Sequence, residues 1–277
     1  MAATLGYDDS FLPAQVPLPA PLRSVPTVEL DYTHFTVLHR PDRRLAAVTA
    51  VNIDGAELRD LDRAGIDWRL DNRLPPRAQA GDEVYDGNDL DRGHLVRRRD
   101  PVWGELAEAT TANIDTFHYT NAAPQVAVFN QSKDLWLGLE DYILGHADAT
   151  QMRRSVLTGP VLADDDPVYR GLPLPRHFWK IAAWVRGEEL ATSGYLLEQT
   201  DLLAAMLDRD STAIASAASA PELGAYRTFQ VPITNIAALT GLDLNSLERA
   251  DSLTEASPAM PQTTQHIELT SWSDIAL

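Results

Sequence analysis

Apolar positions fall into short blocks separated by polar turns, the pattern of a sheet-rich fold with a few amphipathic helices. Residues 35–38 and 45–51 are rich in apolar and β-branched side chains. They flank His39-Arg40-Pro41-Asp42-Arg43, a turn-like run, and so predict a β-hairpin. Residues 114–120, short, aromatic and β-branched, read as a strand. Residues 135–144 instead repeat at helical spacing, with Trp136, Leu139 and Ile143 on one broad face. Residues 155–162 read as a buried strand, and 178–185 with 190–197 as a strand pair around Arg186-Gly187-Glu188. Thr200 is placed to cap a helix running to Met206. Thr234 is placed to cap a short helix carrying Ile236 and Leu239 and closed by Gly241. Residues 245–263 are polar and irregular, the pattern of a loop. There is no internal repeat. This order predicts one α+β domain, residues 28–277, with a central, mostly antiparallel sheet flanked by helices. Ahead of it, residues 1–27 carry Pro13, Pro17, Pro19, Pro21 and Pro26 and predict an extended arm packed on the domain or leading into it.

Composition narrows the chemistry. The 277 residues are 44% hydrophobic and 23% charged, enough to bury a substantial core. There is no cysteine, which excludes a disulfide framework, a thiolate metal site and a cysteine nucleophile. Asp8, Asp9 and the prolines interrupt the N-terminus, so no secretory leader is expected there. No run approaches the ~18 apolar residues of a membrane span, and a cytoplasmic protein without membrane association is the expectation. Gly-rich phosphate loops and a GxSxG elbow are missing from the sequence.

The net charge of −17 runs against nucleic acid as a partner, but the charge is uneven. Arg92, Arg97, Arg98 and Arg99 crowd around His94, while acids gather at 82–91 and 164–166 and toward the C-terminus. Over a Debye length of about 8 Å the local field outweighs the total, so a small basic cleft on an acidic body is expected. The segment Asp91-Arg92-Gly93-His94 is followed by Thr120-Asn121-Ala122-Ala123-Pro124-Gln125 and by Asn130-Gln131. Together they supply a base, a cation for phosphate and an amide ligand for a hard metal ion. His94 titrates near neutral pH and can take a proton from water. The amide oxygen of Asn130 suits Mg²⁺, which keeps several waters, and Mn²⁺ shares that chemistry. Arg92 can hold a phosphate oxygen, or else pair with Asp89 or Asp91. Arg97, Arg98 and Arg99 are candidates for contacts to the substrate backbone. Asp91 is read as orienting a neighbour or a metal-bound water, and Gly93 as letting the backbone pass close to the site. Asn121 is carried with the catalytic set, although its amide and that of Gln125 serve equally well as braces. Glu140 shares a helix face with Trp136 and is assigned to a metal-bound water. His118 is read as structural, and His34, His39, His146, His177 and His266 show no metal-ligand spacing.

These motifs, in this order, resemble those of the DNA/RNA non-specific endonucleases that include endonuclease G, with a ββα-metal (His-Me finger) site. Tyr85 and Asn88 before the first motif, Phe129, Trp136, Leu139 and Glu140 after the second, and Thr158-Gly159-Pro160-Val161 extend the likeness. Phe178-Trp179-Lys180, Phe229-Gln230-Val231-Pro232-Ile233 and Thr240-Gly241-Leu242 carry it toward the C-terminus. The resemblance implies Mg²⁺-dependent hydrolysis of DNA and RNA with little sequence preference, leaving 5′-phosphate ends. It makes His94 the general base, Asn130 the direct metal ligand, Arg92 the phosphate clamp and Glu140 the acid beyond the metal. It also implies a homodimer as a common state. A nuclease carried without a leader calls for restraint, by the arm or by an inhibitor or regulatory partner. The alternative of another class is a catalytically silent nucleic-acid-binding effector of the same fold.

The chain departs from the family pattern at one place. From Asn130 to Trp136 it is about two residues longer than the family's spacing. At about 100° per residue, two added helical positions rotate Glu140 well away from the metal. Either residues 132–134 are absorbed ahead of the helix, or another acid such as Asp134 takes the role.

Overall fold

In a computed structural model, residues 5–127, 136–212, 227–253 and 267–269 are described. The strands in chain order are β1 (Val28–Tyr32), β2 (Phe35–Arg40), β3 (Leu45–Asp54), β4 (Leu90–His94), β5 (Ala122–Val126) and β6 (Arg153–Pro160). They continue with β7 (Val168–Tyr169), β8 (Leu172–Pro173), β9 (His177–Arg186), β10 (Glu189–Glu198), β11 (Arg227–Val231) and β12 (Ile267–Glu268). The α-helices are α1 (Asp82–Tyr85), α2 (Leu106–Asp115), α3 (Trp136–Thr150), α4 (Thr200–Thr212), α5 (Ile233–Thr240) and α6 (Asn245–Glu248).

Eight strands form one sheet in the order β1-β2-β3-β6-β9-β10-β11-β12, with every neighbouring pair antiparallel. The α+β class and the central antiparallel sheet expected from the pattern are both present. Its central strands read as nearly continuous apolar runs because both faces are covered. Along β9 the side chains alternate, as a strand requires. Phe178, Ala182 and Trp184 enter the core on one face, and Trp179, Ile181 and Ala183 the core on the other. Lys180 falls on the Phe178 face. The register puts Thr49, Thr158, Lys180 and Tyr195 in one row across four strands of that face.

The two faces are covered differently. The first packs against β4, β5, α3 and α4 through Leu90, Ala123, Ile143, Ala147, Leu202 and Met206. The second packs against α5 and α6 through Ile233, Ile236 and Leu247, and against residues 5–27 through Leu12 and Val16. The proline-rich segment runs along the sheet, its Gly6 N–H bonded to Tyr32 O at 2.7 Å and its Asp8 N–H to Asn52 Oδ1 at 2.8 Å.

Three local expectations are corrected. Residues 114–120 are not a strand: α2 runs to Asp115, and a 3-10 turn follows at Tyr119–Asn121. Phe117 and Tyr119 are buried, so their aromatic character reflects packing against the site rather than strand pairing. Helix α5 starts at Ile233, not after Thr234. Its first N–H bonds to the Asp251 carboxylate at 2.9 Å, a cap drawn from a distant part of the chain. Its other end is as expected, with Gly241 at φ 65° and its N–H on Ala237 O. Within 245–263, residues 245–248 form α6 and Asp251 is buried, while 254–266 lie outside the described residues.

Candidate active site

Strand β4 is the Asp91-Arg92-Gly93-His94 segment, and β5 is Ala122-Ala123-Pro124-Gln125-Val126. They pair antiparallel, with Asp91 opposite Gln125, Arg92 opposite Pro124, Gly93 opposite Ala123 and His94 opposite Ala122. Helix α3 follows, so the two motifs build a ββα unit against the large sheet. Alternation sends Arg92 and His94 to one face of the pair and Asp91, Gly93 and Gln125 to the other. Gly93 is required by this packing, because a Cβ there would overlap the Gln125 side chain. Gln125 is fully buried, and neither end of its amide has a hydrogen-bond partner among the described residues.

His94 sits between two aromatic rings. Trp68 lies 4.6 Å away, centroid to centroid, and Phe117 stands perpendicular at 5.0 Å. The residue is partly buried, and its Nε2 is cut off from solvent and has no partner among the described residues. Loss of hydration, with the guanidinium groups of Arg63, Arg98 and Arg97 nearby, pushes the His94 pKa down to about 3. Both effects favour the uncharged ring, the form that can accept a proton.

Arg92 rests on a shelf of two tyrosines. Its guanidinium carbon is 5.2 Å from the Tyr85 ring centre and 5.8 Å from that of Tyr119. Nε donates to the Tyr119 hydroxyl at 3.1 Å, and Nη2 to Asp82 Oδ1 at 2.6 Å. The acid paired with Arg92 is thus Asp82, not Asp89 or Asp91.

The other expected residues divide clearly. Asn121 is buried, with Oδ1 accepting from Val96 N–H at 2.8 Å and Nδ2 donating to Val96 O at 2.9 Å and Thr116 O at 3.0 Å. Both ends of that amide are committed to backbone, and they tie the loop after β4 to the turn before β5. Glu140 is buried, its Oε1 3.3 Å from Lys180 Nζ and its Oε2 3.8 Å from Arg97 Nε. Lys180, only 1% exposed, also donates to Thr158 Oγ1 at 3.0 Å. Asp100 joins this group, and burial raises its pKa to about 7 against the opposing pull of Lys180 and Arg97. Arg98 donates to Leu61 O at 2.6 Å and to Asn113 Oδ1 at 3.2 Å. Arg99, 42% exposed, lies 3.5 Å from Asp60. Its guanidinium lines a cleft of about 350 Å³ with Leu58, Arg59, Asp60, Leu144 and Asp148. Asp91 is partly buried on the Gln125 face. Asn130, Gln131 and Asp134 lie outside the described residues.

Sequence reasoning missed Trp68, Phe117, Asp82 and Tyr119, which approach from separate segments. Lys180 did leave a signal, as a single charge inside the apolar run 178–185. Among the described residues no group of three or more histidines and acids is placed to hold a metal ion. No helix among them is long and apolar enough to cross a membrane.

Comparison with known proteins agrees with this architecture. A 40% identical stretch of 258 residues links the chain to the uncharacterized protein y4fB of Sinorhizobium fredii, covering 86% of this chain and 38% of that one. Mitochondrial endonuclease G of Homo sapiens is 31% identical over 134 residues, 44% of this chain and 42% of that protein. The chain thus matches less than half the length of these curated relatives. A crystal structure of EndoG in complex with EndoGI superposes with a TM-score of 0.57 at 19% identity, over 77% of this chain and 84% of that one. That likeness concerns the fold. The family model for DNA/RNA non-specific endonucleases matches residues 20–251, and the chain belongs to that family.

Proposed function

We propose that this chain is a metal-dependent endonuclease that hydrolyses phosphodiester bonds of DNA, RNA or both with little sequence preference. The observation that carries this reading is the state of His94. Its ring is clamped between Trp68 and Phe117, and its buried Nε2 has no partner among the described residues. It shares a strand face with Arg92, so a proton acceptor and a phosphate-binding cation face one space.

In this reading His94 accepts the proton of the attacking water, and the aromatic clamp fixes the direction of approach. Arg92 binds a non-bridging phosphate oxygen and so helps stabilise the charge of the transition state. Asn121 acts as a brace in this reading, which its bonds to backbone support. The donors fit a hard divalent cation with few protein ligands. Gln125, on the strand face opposite His94, brings buried amide atoms without partners among the described residues to the unit that leads to Asn130, and the sequence offers no thiolate. Asn130 would hold Mg²⁺, or Mn²⁺ in its place, through its amide oxygen, with Asp91 orienting from beyond. The ion would supply Lewis acidity at the scissile phosphate. Glu140, tied to Lys180 and Arg97, would serve through that network. Arg99 is the best placed of the three consecutive arginines to meet a substrate backbone. An inhibitor partner belongs to the same proposal, since a structurally similar EndoG has been crystallised with EndoGI.

The test is cleavage of plasmid DNA and of RNA in Mg²⁺, in Mn²⁺ and in EDTA, with wild type and His94→Ala. Cleavage that requires both the metal and His94 is expected. Cleavage by His94→Ala at the wild-type rate, or none by wild type in either metal, would overturn the reading.

A further inference from the structure

The guanidinium assigned to substrate phosphate already holds a carboxylate. Arg92 Nη2 donates to Asp82 Oδ1 at 2.6 Å, and the Tyr119 hydroxyl, which accepts from Arg92 Nε, donates to the same carboxylate. A carboxylate and a phosphate offer the arginine fork the same acceptor geometry. Asp82 is not there by the accident of a mobile side chain. It heads α1, whose end is fastened by Arg170, with Nη1 donating to Glu83 O at 3.1 Å and to Asp86 O at 2.6 Å. The next residue, Glu83, is paired with Arg44. Beneath the pair, the buried Tyr85 ring supports the arginine. The Asp82 side chain is 74% exposed and that of Arg92 29%. The acid therefore covers Arg92 from the solvent side, where a polyanion would arrive.

We propose that Asp82 is an affinity-setting residue that occupies the phosphate seat of Arg92 and must be displaced by the substrate backbone. This inference rests on the proposed role of Arg92. The contact resists binding only modestly, since exposed ion pairs shift an equilibrium by up to about five-fold. That range suits a gate a polyanion can open, and it weakens productive contact with short or sparsely charged ligands. The same tyrosine holds Arg92 in place when the acid leaves, so displacement does not dismantle the shelf.

The test uses a fluorescein-labelled DNA duplex and the full chain. Binding is followed by anisotropy with His94→Ala protein in EDTA, and KM and kcat are measured in Mg²⁺ with His94 intact. Asp82→Asn is expected to tighten Kd and lower KM by about two- to five-fold, with a smaller change in kcat. Asp86→Asn makes the same charge change at the other end of α1 and is expected to do much less. In an Arg92→Ala background the gain from Asp82→Asn should vanish. An equal gain from Asp86→Asn, a gain that persists without Arg92, or no gain at all would overturn the assignment. Tighter binding by Asp82→Asn in a protein that never cleaves would sink the nuclease reading and keep this one. Cleavage unaffected by Asp82 would do the reverse, and absence of binding by every variant would remove both.

Discussion

The two faces of the central sheet are buried by different chemistry, and the site face carries the larger core. On the arm face Leu12, Val16, Trp179, Ile181, Ile233 and Ile236 form an apolar layer. Its polar groups are used to fasten backbone, as when Asn52 binds Asp8 and Asp251 caps α5. On the site face the same sheet carries Lys180 in a row with Thr49, Thr158 and Tyr195, and Glu140, Arg97 and Asp100 close over it. Burying charges is expensive, and an apolar cluster of equal volume is often as stable or more so. The arm face shows that this chain can build such a layer. The charges on the other face thus call for a reason beyond stability, and they lie where β4, α3 and the sheet meet.

The largest expected effect tests that difference directly. Lys180→Met leaves Glu140 buried with Arg97 as its remaining cation among the described residues, and should cost about 3–5 kcal/mol in denaturant unfolding. Adding Glu140→Leu should recover much of the stability without recovering cleavage. On the arm face Ile236→Ala should cost about 2–5 kcal/mol, while the activity per folded molecule stays at the wild-type level. Equal losses of activity from both faces would erase the distinction.

Next in size is a dependence on pH. Burial raises the Asp100 carboxyl to about 7 in the folded chain, above its unfolded value, so folding favours the protonated form. Its unfavourable contribution is absent below about pH 4 and grows as pH rises toward 7. Asp100→Asn should therefore change stability little at pH 4 and raise it at pH 8, by an amount on the order of a few kcal/mol. His94 has the opposite sign: its lowered pKa makes its protonation destabilising as pH falls from about 6.5 toward 3. Comparing unfolding curves of Asp100→Asn and wild type at the two pH values would check the first, and a gain larger at pH 4 would refute it.

A smaller effect belongs to the ββα unit itself. Gly93→Ala places a methyl group into the Gln125 side chain, and overpacking of that kind costs about 1–3 kcal/mol. Gln125→Ala in the same chain should relieve the clash and restore the melting temperature. Activity should return less completely than stability if Gln125 is also needed at the site.

The regular parts of this fold were legible because their signal is local. Residues 178–185 and 190–197 read as a strand pair, and β9 and β10 pair throughout their length. The two motifs announced the ββα unit because their spacing survives as the register of His94 on Ala122. What stayed hidden depends on segments distant in sequence. Trp68 reaches His94 from a loop-rich stretch, Asp251 caps a helix from well beyond its C-terminal end, and Asp82 displaces the two nearer acids as the partner of Arg92. The aromatic run 114–120 misled for a related reason. Phe117 and Tyr119 serve the packing around His94 and Arg92, and strand propensity shares those residue types.

The smallest effect concerns Arg99, on the solvent side of the same loop whose Arg97 is drawn into the buried network. Its pair with Asp60 is long and half in water, so Arg99→Ala should change stability by no more than about 0.5 kcal/mol. If a substrate phosphate uses it instead, the logarithm of affinity for a duplex should depend less steeply on the logarithm of salt, by roughly 0.9 in slope. Arg97→Ala, by contrast, removes a partner of Glu140 and should lower stability while leaving that slope nearly unchanged. Anisotropy titrations across a salt series would read both. A slope altered by Arg97→Ala and not by Arg99→Ala would mean that the buried network reaches the substrate and that the exposed arginine is only part of a solvated surface.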